Sequence, residues 1–576
     1  MKKYQKLMMN FSINSLKGFL GDKVAELLIE WSPNSGRDFT KTELVAMIDC
    51  IHGTKLFKEP EFRKQLLLRM RSNDILSIRD NCLSGKDKAE TEAKKIVEII
   101  AGKPWRDNKL SKYLIDLWEL PKDIFDVKRL NNEPVSVVSN VGENFYELLD
   151  YQFAIKQRAL YILNSGNSQE RLFIHMPTGT GKTKTSMHII TNYFQYTLKN
   201  EGLVLWVAHT NELLQQAYDT FVNVWGHLGD GDCNAYRLWG TNNIKDTASP
   251  LNGIAFCGLK KLMSIFNDQK GLRERMKKDC RLIVFDEAHK ALADETRKVI
   301  ENLMLKPKGY ENRALVGLSA TPGRTTDVTH DNKALSDMFG NKLVSIDTEL
   351  LNQINMGQQG ALNMVAEENI IRYFQERKIL SKISVERLTY KTNFSQSDID
   401  ILSREIRDMG YSDNDFTPHQ LKVFAENKDR NKKIMEKLRV LHSDNIPTIV
   451  FACSLDHARM LSAMLTLEGI DNSLVVGEMS PADRKEAIDR FKDRGSKTNI
   501  IINYEVLTTG FDSKNIRCVF ITRPTKSVVL YSQMLGRGLR GPMMGGNKEC
   551  ILIDIDDNLK MFDSESAFAH FDSYWH

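Results

Sequence analysis

Residues 176–183 read Met176-Pro177-Thr178-Gly179-Thr180-Gly181-Lys182-Thr183, a glycine-rich loop that ends in Lys-Thr. An apolar run at 172–175 precedes the loop and a helical pattern follows it, which predicts a strand, a loop and a helix. Glycines let backbone N–H groups turn toward an anion, and the helix N-terminus adds the positive end of its dipole. The segment therefore predicts a phosphate-binding loop in an α/β fold, although Met176 stands where the full GxxxxGK[ST] pattern has glycine.

An acidic pair closes an apolar strand about a hundred residues later. Asp286 and Glu287 follow the run 281–285, and the carboxyl ends of parallel strands are where α/β sheets bind ligands. In this pattern Lys182 neutralises phosphate charge, Thr183 and Asp286 hold Mg²⁺, and Glu287 orients the attacking water. Alone, each segment could be a turn or a helix cap. Together they predict a site that hydrolyses ATP with Mg²⁺.

Size and charge set limits on the rest of the chain. A length of 576 residues predicts several domains, since one core does not grow to that size. The formal net charge of +5 is only mildly basic, so a nucleic-acid site has to come from local arrangement rather than from bulk charge. On charge alone, a protein without a nucleic-acid partner is equally compatible.

Cysteine spacing and hydropathy argue against three other classes of site. The eight cysteines are scattered without a CxxC pair, so we expect no zinc site, no iron–sulfur cluster and no disulfide framework. The N-terminus lacks an uninterrupted apolar stretch, and no run of eighteen apolar residues occurs. We therefore expect a cytoplasmic protein without a membrane segment.

The apolar pattern changes along the chain. An i, i+3, i+4 spacing predicts helices before residue 131, and afterwards short apolar strands alternate with helices, which is typical of parallel sheets. The strand candidates are 172–175, 203–208, 254–257, 282–285, 314–318, 448–451, 473–476, 499–503, 518–521 and 550–553. The predicted domains are a helical N-terminal domain 1–135, an α/β domain 143–324, a helical insert 325–435, a second α/β domain 436–558 and a tail 559–576.

The motifs resemble those of superfamily 2 helicases and translocases with a DEAH signature, here Asp286-Glu287-Ala288-His289. The chain looks most like the motor subunits of type I and type III restriction enzymes and their stand-alone relatives, over residues 145–558. The resemblance implies two tandem RecA-like domains with ATP and Mg²⁺ between them. The implied ATP contacts are Tyr151, Gln152, Pro177, Thr178, Gly179, Thr180, Gly181, Lys182, Thr183, Gly510 and Asp512. The implied nucleic-acid and coupling residues are Thr210, His289, Ser319, Thr321, Ser454, Thr508, Thr509 and Gln533.

The resemblance also assigns catalysis. Lys182, Asp286 and Glu287 act from the first domain, and Arg537 and Arg540 act from the second. We expect the two arginines to lie one turn apart on a helix and to share a face. As in similar helicases, they would reach the γ-phosphate across the cleft, and such an arginine finger is worth roughly 10³ to 10⁵ in rate.

The function implied is that of an ATP-dependent helicase or translocase, with DNA favoured over RNA, in a defence, restriction or repair system. Gly258-Leu259-Lys260-Lys261 stands where many relatives carry a threonine, and no nuclease pattern is visible. An ATPase that licenses a partner nuclease bound through residues 1–135, or an RNA helicase, remains an alternative. A metabolic P-loop kinase would not account for Arg537, Arg540 and the second α/β unit.

Overall fold

The structure is a computed structural model of the whole chain. It describes residues 1–21, 24–25, 28, 39–120, 133–142, 147–166, 169–240, 242–244, 249–305, 313–320, 330–347, 349–350, 370–391, 394–398, 400–402, 415–479, 481–493, 495–508, 510–511, 513–525 and 527–559.

The described strands form two sheets, each at the centre of one lobe. The first lobe contains β1 Val135–Val138, β2 Gln169–His175, β3 Leu203–Ala208, β4 Cys233–Leu238, β5 Gly253–Gly258, β6 Cys280–Asp286, β7 Arg313–Ser319 and β8 Leu343–Ser345. The second lobe contains β9 Lys382–Leu388, β10 Thr448–Phe451, β11 Asn472–Val475, β12 Ile500–Asn503, β13 Cys518–Ile521 and β14 Glu549–Ile555.

The first sheet has the order β1-β4-β5-β3-β6-β7-β2-β8. Its strands are parallel except for β1, which pairs antiparallel with β4. Every residue of β3 is buried, as expected for a central parallel strand covered on both faces. The loop 176–181 and the acidic pair both follow strands in this sheet, so the fold brings them to one edge.

The second sheet has the order β11-β12-β10-β13-β14-β9, with all described pairs parallel. The prediction of two α/β units with parallel sheets is therefore confirmed. All ten strand candidates coincide with observed strands to within three residues at each end.

Helices cover the sheets and build the N-terminal part. The N-terminal helices are Lys3–Met8, Ile13–Leu20, Lys41–His52, Pro60–Leu67, Ser72–Cys82, Gly85–Ala89, Ala93–Gly102 and Lys109–Trp118, with a 3₁₀ turn at Gly53–Lys58. The first lobe has Asp150–Leu163, Lys182–Asn192, a π-helical turn Tyr193–Thr197, Asn211–Leu228, Leu259–Asp268, Lys270–Asp279, a 3₁₀ turn Ala288–Lys290, Asp294–Met304 and His330–Met338. The rest are Ile370–Glu376, Pro418–Glu426, Lys428–Ser443, Leu455–Leu467, Pro481–Lys492, Val528–Leu535, a 3₁₀ turn Pro542–Met544 and Asp556–Leu559.

The N-terminal helices do not form a separate core. Leu44, Ile51 and Trp118 belong to the same buried apolar cluster as Leu461 and Ile500 of the second lobe. The helix Lys41–His52, which begins with a Thr40–Glu43 capping box, packs on the helix Leu455–Leu467. The first 120 residues and one side of the second lobe thus form a single buried apolar cluster.

The segment 325–435, predicted as a helical insert, also contributes a strand to each sheet. Strand β8 extends the first sheet beside β2, and β9 extends the second beside β14. The helical expectation was wrong for these strands because β8 is only three residues long and β9 is an edge strand with much exposed surface. Most of 398–409, and the tail beyond residue 559, lie outside the described residues.

Three further properties concern the described part of the chain. None of its helices is long and apolar enough to cross a lipid bilayer. Within the same ranges, no group of three or more His, Cys, Asp or Glu side chains is placed to hold a metal ion. All eight cysteines are described, and each is a free thiol.

Candidate functional site

The glycine-rich loop connects β2 to the helix Lys182–Asn192. Gly179 and Gly181 have φ values of +88° and +87°, a region that side chains with a Cβ rarely adopt. Thr180 is fully buried, and its Oγ1 donates to the Pro177 carbonyl at 2.7 Å. These contacts fix the loop as a backbone cradle at the start of a helix, which is the geometry that favours an anion.

Tyr151 and Gln152 support this loop from the helix Asp150–Leu163. The Tyr151 hydroxyl and the Gln152 amide both donate to the Thr180 carbonyl at 2.8 Å. The Tyr151 ring is fully buried against Phe374, with ring centroids 5.0 Å apart. In this arrangement both side chains brace the loop, whereas the resemblance implies direct contact with adenine.

The acidic pair lies opposite the loop at the end of β6. Asp286 and Glu287 are nearly buried, and Lys182 Nζ lies 3.3 Å from Asp286 Oδ1 and 3.4 Å from Glu287 Oε1. Glu287 has a φ of +55°, an uncommon conformation for a residue with a side chain. The loop lysine and both carboxylates, which the sequence assigned to phosphate, Mg²⁺ and water, therefore lie together in one buried cluster.

Charges in this cluster set its protonation. Burial disfavours a charged Glu287, but Lys182 and His289 outweigh burial and lower the pKa of Glu287 to about 2. Burial raises the pKa of Asp286, with Lys182 opposing the rise. Burial opposes a charged Lys182, yet Glu287 and Asp286 raise its pKa. Glu287 is thus an anion beside a cation at neutral pH, as a residue that polarises water requires.

Residues from other motifs converge on Glu287. His289 Nδ1 lies 3.4 Å from Glu287 Oε2 and 3.4 Å from the Ser319 hydroxyl. Gln533 of the second lobe donates through Nε2 to Glu287 Oε2 at 3.2 Å. Burial lowers the pKa of His289 to about 4, so its ring is neutral at pH 7. The structure therefore joins three of the predicted coupling residues to one predicted catalytic carboxylate.

The second lobe also touches the loop directly. Gly536 approaches Thr178 so closely that a Cβ at residue 536 would overlap the Thr178 side chain. A Cβ at Gly179 would lie 3.2 Å from Leu380 Cδ2 and 3.8 Å from the Leu539 carbonyl oxygen. The lobes are therefore in contact at the glycine-rich loop.

Arg537 and Arg540 differ from their expected placement. The helix Val528–Leu535 ends before both, so they do not share a helical face. Arg537 Nη1 donates to the Phe511 carbonyl at 2.8 Å, and Arg540 forms an antiparallel β-bridge with Leu380. The first residue after the helix, Gly536, has no Cβ, and this allows the close approach to Thr178.

The predicted nucleic-acid residues have local structural roles. Thr210 caps the helix Asn211–Leu228 by accepting from Leu213 N, and Ser454 caps Leu455–Leu467 by accepting from His457 N. Thr508 donates to the Glu505 carbonyl at 2.8 Å. Gly510, with a φ of +69°, lies against the Leu213 backbone, so two of the predicted motifs meet between the lobes. Thr321, Thr509 and Asp512 lie outside the described residues.

Some contacts were not anticipated from the sequence. Ser381 stabilises the segment at Leu539 and Arg540 of the second lobe. Its N–H donates to the Leu539 carbonyl and its hydroxyl donates to the Arg540 carbonyl. Lys290 Nζ lies 2.8 Å from His209 Nε2, which links the two first-lobe motifs. The sequence shows a lysine directly after the DEAH signature. Which residue this lysine contacts depends on the order of the strands in the sheet.

Two family models match the chain. The model described as "Type III restriction enzyme, res subunit" matches residues 145–324, and "Helicase conserved C-terminal domain" matches 429–541. The first range lies on the first lobe and the second on the second lobe, and this pair of helicase domains implies that the chain binds a nucleotide.

Known proteins resemble the chain over much of its length. IRC3 of Saccharomyces cerevisiae, named as an ATP-dependent helicase, is 25% identical over 462 residues, covering 77% of this chain and 55% of IRC3. The type I restriction enzyme EcoAI endonuclease subunit of Escherichia coli is 24% identical over 409 residues, covering 69% of this chain and 45% of that subunit. A fragment of an HsdR subunit of a type I restriction enzyme from Vibrio vulnificus aligns with a TM-score of 0.44 at 18% identity, covering 74% of this chain and 66% of that chain.

The chain spans about half the length of the curated relatives it matches. The range matched by the first family model contains the glycine-rich loop and the acidic pair. Residues 145–324 and 429–541 of this chain therefore carry the two domains of a superfamily 2 helicase motor, the first of them of the restriction-enzyme type.

Proposed function

We propose that this chain is an ATP-hydrolysing motor that translocates along DNA or separates its strands. The observation that carries the proposal is the shared control of Glu287, which Lys182 contacts from the first lobe and Gln533 from the second. A carboxylate held by both lobes makes hydrolysis depend on their relative position. ATP binding and release can then drive lobe movement, because a ligand shifts an equilibrium toward the state it binds better.

The side chains of the first lobe suit a triphosphate with Mg²⁺. The Thr183 hydroxyl and the Asp286 carboxylate are the hard oxygen donors that Mg²⁺ prefers. When bound, Mg²⁺ would supply positive charge to the phosphate oxygens. Lys182 would neutralise phosphate charge, and the anionic Glu287 would orient and polarise the attacking water. We propose these roles for the residues, and the loop glycines would supply backbone N–H groups.

The arginine pair keeps a proposed role in catalysis. Arg537 lies in the turn 536–539 and Arg540 follows it, and this turn lies against the glycine-rich loop. A side-chain rotation at Arg537, which now donates to the Phe511 carbonyl, would present its guanidinium to bound phosphate. Loss of an arginine finger costs roughly 10³ to 10⁵ in rate, so substitution of either arginine tests this role.

DNA is the proposed substrate. One relative is named as a type I restriction enzyme subunit. Thr210 and Thr508 lie on the two sides of the contact between Leu213 and Gly510, where a strand could touch both lobes. Contacts from such residues to phosphates carry no sequence information, so we expect a sequence-tolerant motor.

The direct test is ATP turnover with single-stranded DNA, duplex DNA, forked DNA or RNA. We expect DNA to increase turnover and Lys182→Ala to abolish it. A fork-unwinding assay beside a triplex-displacement assay then separates strand separation from duplex tracking. No increase with any nucleic acid would contradict the proposed motor, and a greater increase with RNA would replace DNA as the substrate.

We also propose that the N-terminal helices bind a protein partner in a restriction, repair or defence system. The similarity to a restriction enzyme subunit supports this context. Deleting these helices is a poor test, because they complete the core of the second lobe. Leu68→Glu is a better one, since Leu68 is an exposed apolar residue of this part. Pull-down with an unchanged partner set would count against a partner site at this surface.

A further inference from the structure

The helix Pro481–Lys492 is held by the N-terminal helices on one side. The Thr54 hydroxyl lies 2.8 Å from both carboxylate oxygens of Asp483. The preceding residue, Gly53, approaches the same carboxylate, since a Cβ there would lie 3.8 Å from Asp483 Cγ. Next to it, Lys55 Nζ pairs with Glu478 Oε2 at 2.6 Å. The turn 53–55 thus contacts the start of this helix through a hydrogen bond, and the segment just before the helix through an ion pair.

The same helix contacts the first lobe through the next residue. Arg484 Nη1 pairs with Glu212 Oε1 at 2.7 Å, and its Nη2 donates to the Gly477 carbonyl at 3.2 Å. Glu212 is in the first turn of the helix that Thr210 caps. Adjacent residues of one helix therefore connect the N-terminal helices to the part of the first lobe that carries the proposed DNA contact.

We propose that Thr54 and Asp483 are positioning residues through which the N-terminal helices set how firmly the two lobes close on DNA. This inference rests on the proposed function for its DNA readout. Asp483 fixes the start of the helix, and the fixed helix presents Arg484 to Glu212. A partner that moved the turn 53–55 would change the affinity for DNA without touching the ATP site.

The geometry supports transmission rather than independent contacts. The N-terminal helices share a core with the second lobe, so in the observed arrangement the turn 53–55 holds the helix Pro481–Lys492 at a fixed place on that lobe. Arg484 and Glu212 sit on opposite sides of the boundary between the lobes, and their ion pair forms only when the lobes are close. Removing the Thr54–Asp483 bond leaves the shared core intact, so folding and positioning can be separated.

The test measures ATP turnover against DNA concentration for Thr54→Val, which removes the hydroxyl and keeps the side-chain shape. We expect the KM for DNA to rise about five- to tenfold, as for loss of one ordinary hydrogen bond at a partly exposed site. Turnover at saturating DNA and basal turnover should stay unchanged. Thr54→Ser should restore the wild-type KM. Lys64→Met is the matched control, because it breaks the pair Lys64–Glu98 inside the N-terminal helices.

A second measurement does not depend on DNA. Dyes on Tyr196→Cys of the first lobe and Val440→Cys of the second, both exposed positions, report lobe closure by energy transfer as a non-hydrolysable ATP analogue is added. Thr54→Val should require about five times more analogue for the same closure. An unchanged KM together with unchanged closure overturns the inference, as does an equal loss of basal and stimulated turnover. If the wild type is not stimulated by DNA, the proposed function fails and closure alone decides this inference.

Discussion

Gln533 of the second lobe donates a hydrogen bond to Glu287 of the first lobe over 3.2 Å, and both side chains are almost fully buried. The acceptor is an anion whose pKa is lowered to about 2 by Lys182 and His289 in spite of burial. This hydrogen bond therefore links the surroundings of Glu287 in the first lobe to the position of the second lobe.

Gln533→Ala should lower turnover at saturating ATP and DNA by about tenfold or more, because a hydrogen bond to a charged group contributes about 1.5 to 3 kcal/mol. Affinity for the nucleotide should change little, since Gln533 does not contact the glycine-rich loop in the observed arrangement. Steady-state ATPase kinetics give kcat and KM separately. A Gln533→Glu variant should be slower still, because two carboxylates would face each other. Equal rates for the two variants would contradict this role.

Lys182→Met should lower ATP turnover by about 10² to 10³-fold, the usual cost of removing one group that stabilises developing charge. It should also lower the free energy of unfolding by about 3 kcal/mol at pH 7, because Glu287 and Asp286 lose their cation in a buried place. Urea denaturation measures the second effect. Lys342→Met is the control, since it removes the partner of buried Glu170 at 2.6 Å and should leave turnover unchanged.

Gly181→Ala should disturb the site through a steric overlap as well as through backbone strain. An added Cβ would overlap Gln152 Nε2, which supports the loop through the Thr180 carbonyl. Gly469→Ala is the matched control, because its φ of +74° is similar but no atom lies within 4 Å of an added Cβ. Both should lose about 1 to 2 kcal/mol of stability from the left-handed backbone. Only Gly181→Ala should also lose nucleotide affinity, as calorimetry with an ATP analogue would show.

Stability should fall as pH is lowered from about 6.5 to 4. Burial lowers the pKa of His175 and His289 to about 4, and burial with Arg430 lowers that of His457 to about 3. Each histidine binds a proton in the unfolded chain before it does so in the folded one. Its contribution is therefore complete above pH 6.5 and is lost as pH falls through that range, at up to about 1.4 kcal/mol per pH unit.

The variant His457→Gln measures how much His457 contributes to this pH dependence of stability. The His457 ring accepts from the Cys453 N–H and lies 2.9 Å from Asn431 Oδ1, outside the ATP site. In denaturant titrations, the variant should lose about 1.4 kcal/mol less per pH unit than the wild type below pH 6.5. Parallel curves for the two proteins would mean that His457 does not contribute to the acid sensitivity.

Elements defined by short stretches of sequence were predictable. The run Leu203–Ala208 has no polar side chain, and a run this short and rich in valine and leucine is typical of a strand covered on both faces. The glycine-rich loop and the acidic pair were equally predictable, because the residues that give each motif its chemistry are adjacent in the sequence. Their meeting at one sheet edge follows from the rule that ligands bind at the carboxyl ends of parallel strands.

Placement that depends on distant parts of the chain was not predictable. The periodicity of the helix Lys41–His52 shows that one face is buried, but not that it packs on Leu455–Leu467. The predicted helix that carries Gln533 was too long at its C-terminal end, although glycine, here Gly536, commonly ends helices. Tyr151 and Gln152 were assigned to adenine, and their hydrogen bonds to Thr180 could not be seen without the fold.

The apolar cluster that unites Trp118 with Ile500 has a consequence for synthesis on the ribosome. The entire first lobe is translated between these two halves of one core, so the early helices wait for about three hundred residues before β10 emerges. At 5 to 20 residues per second, that wait lasts about 15 to 65 s. During this time the apolar surface that these helices bury against the second lobe stays exposed. The helices are therefore a target for chaperones and a poor choice for expression as an isolated fragment.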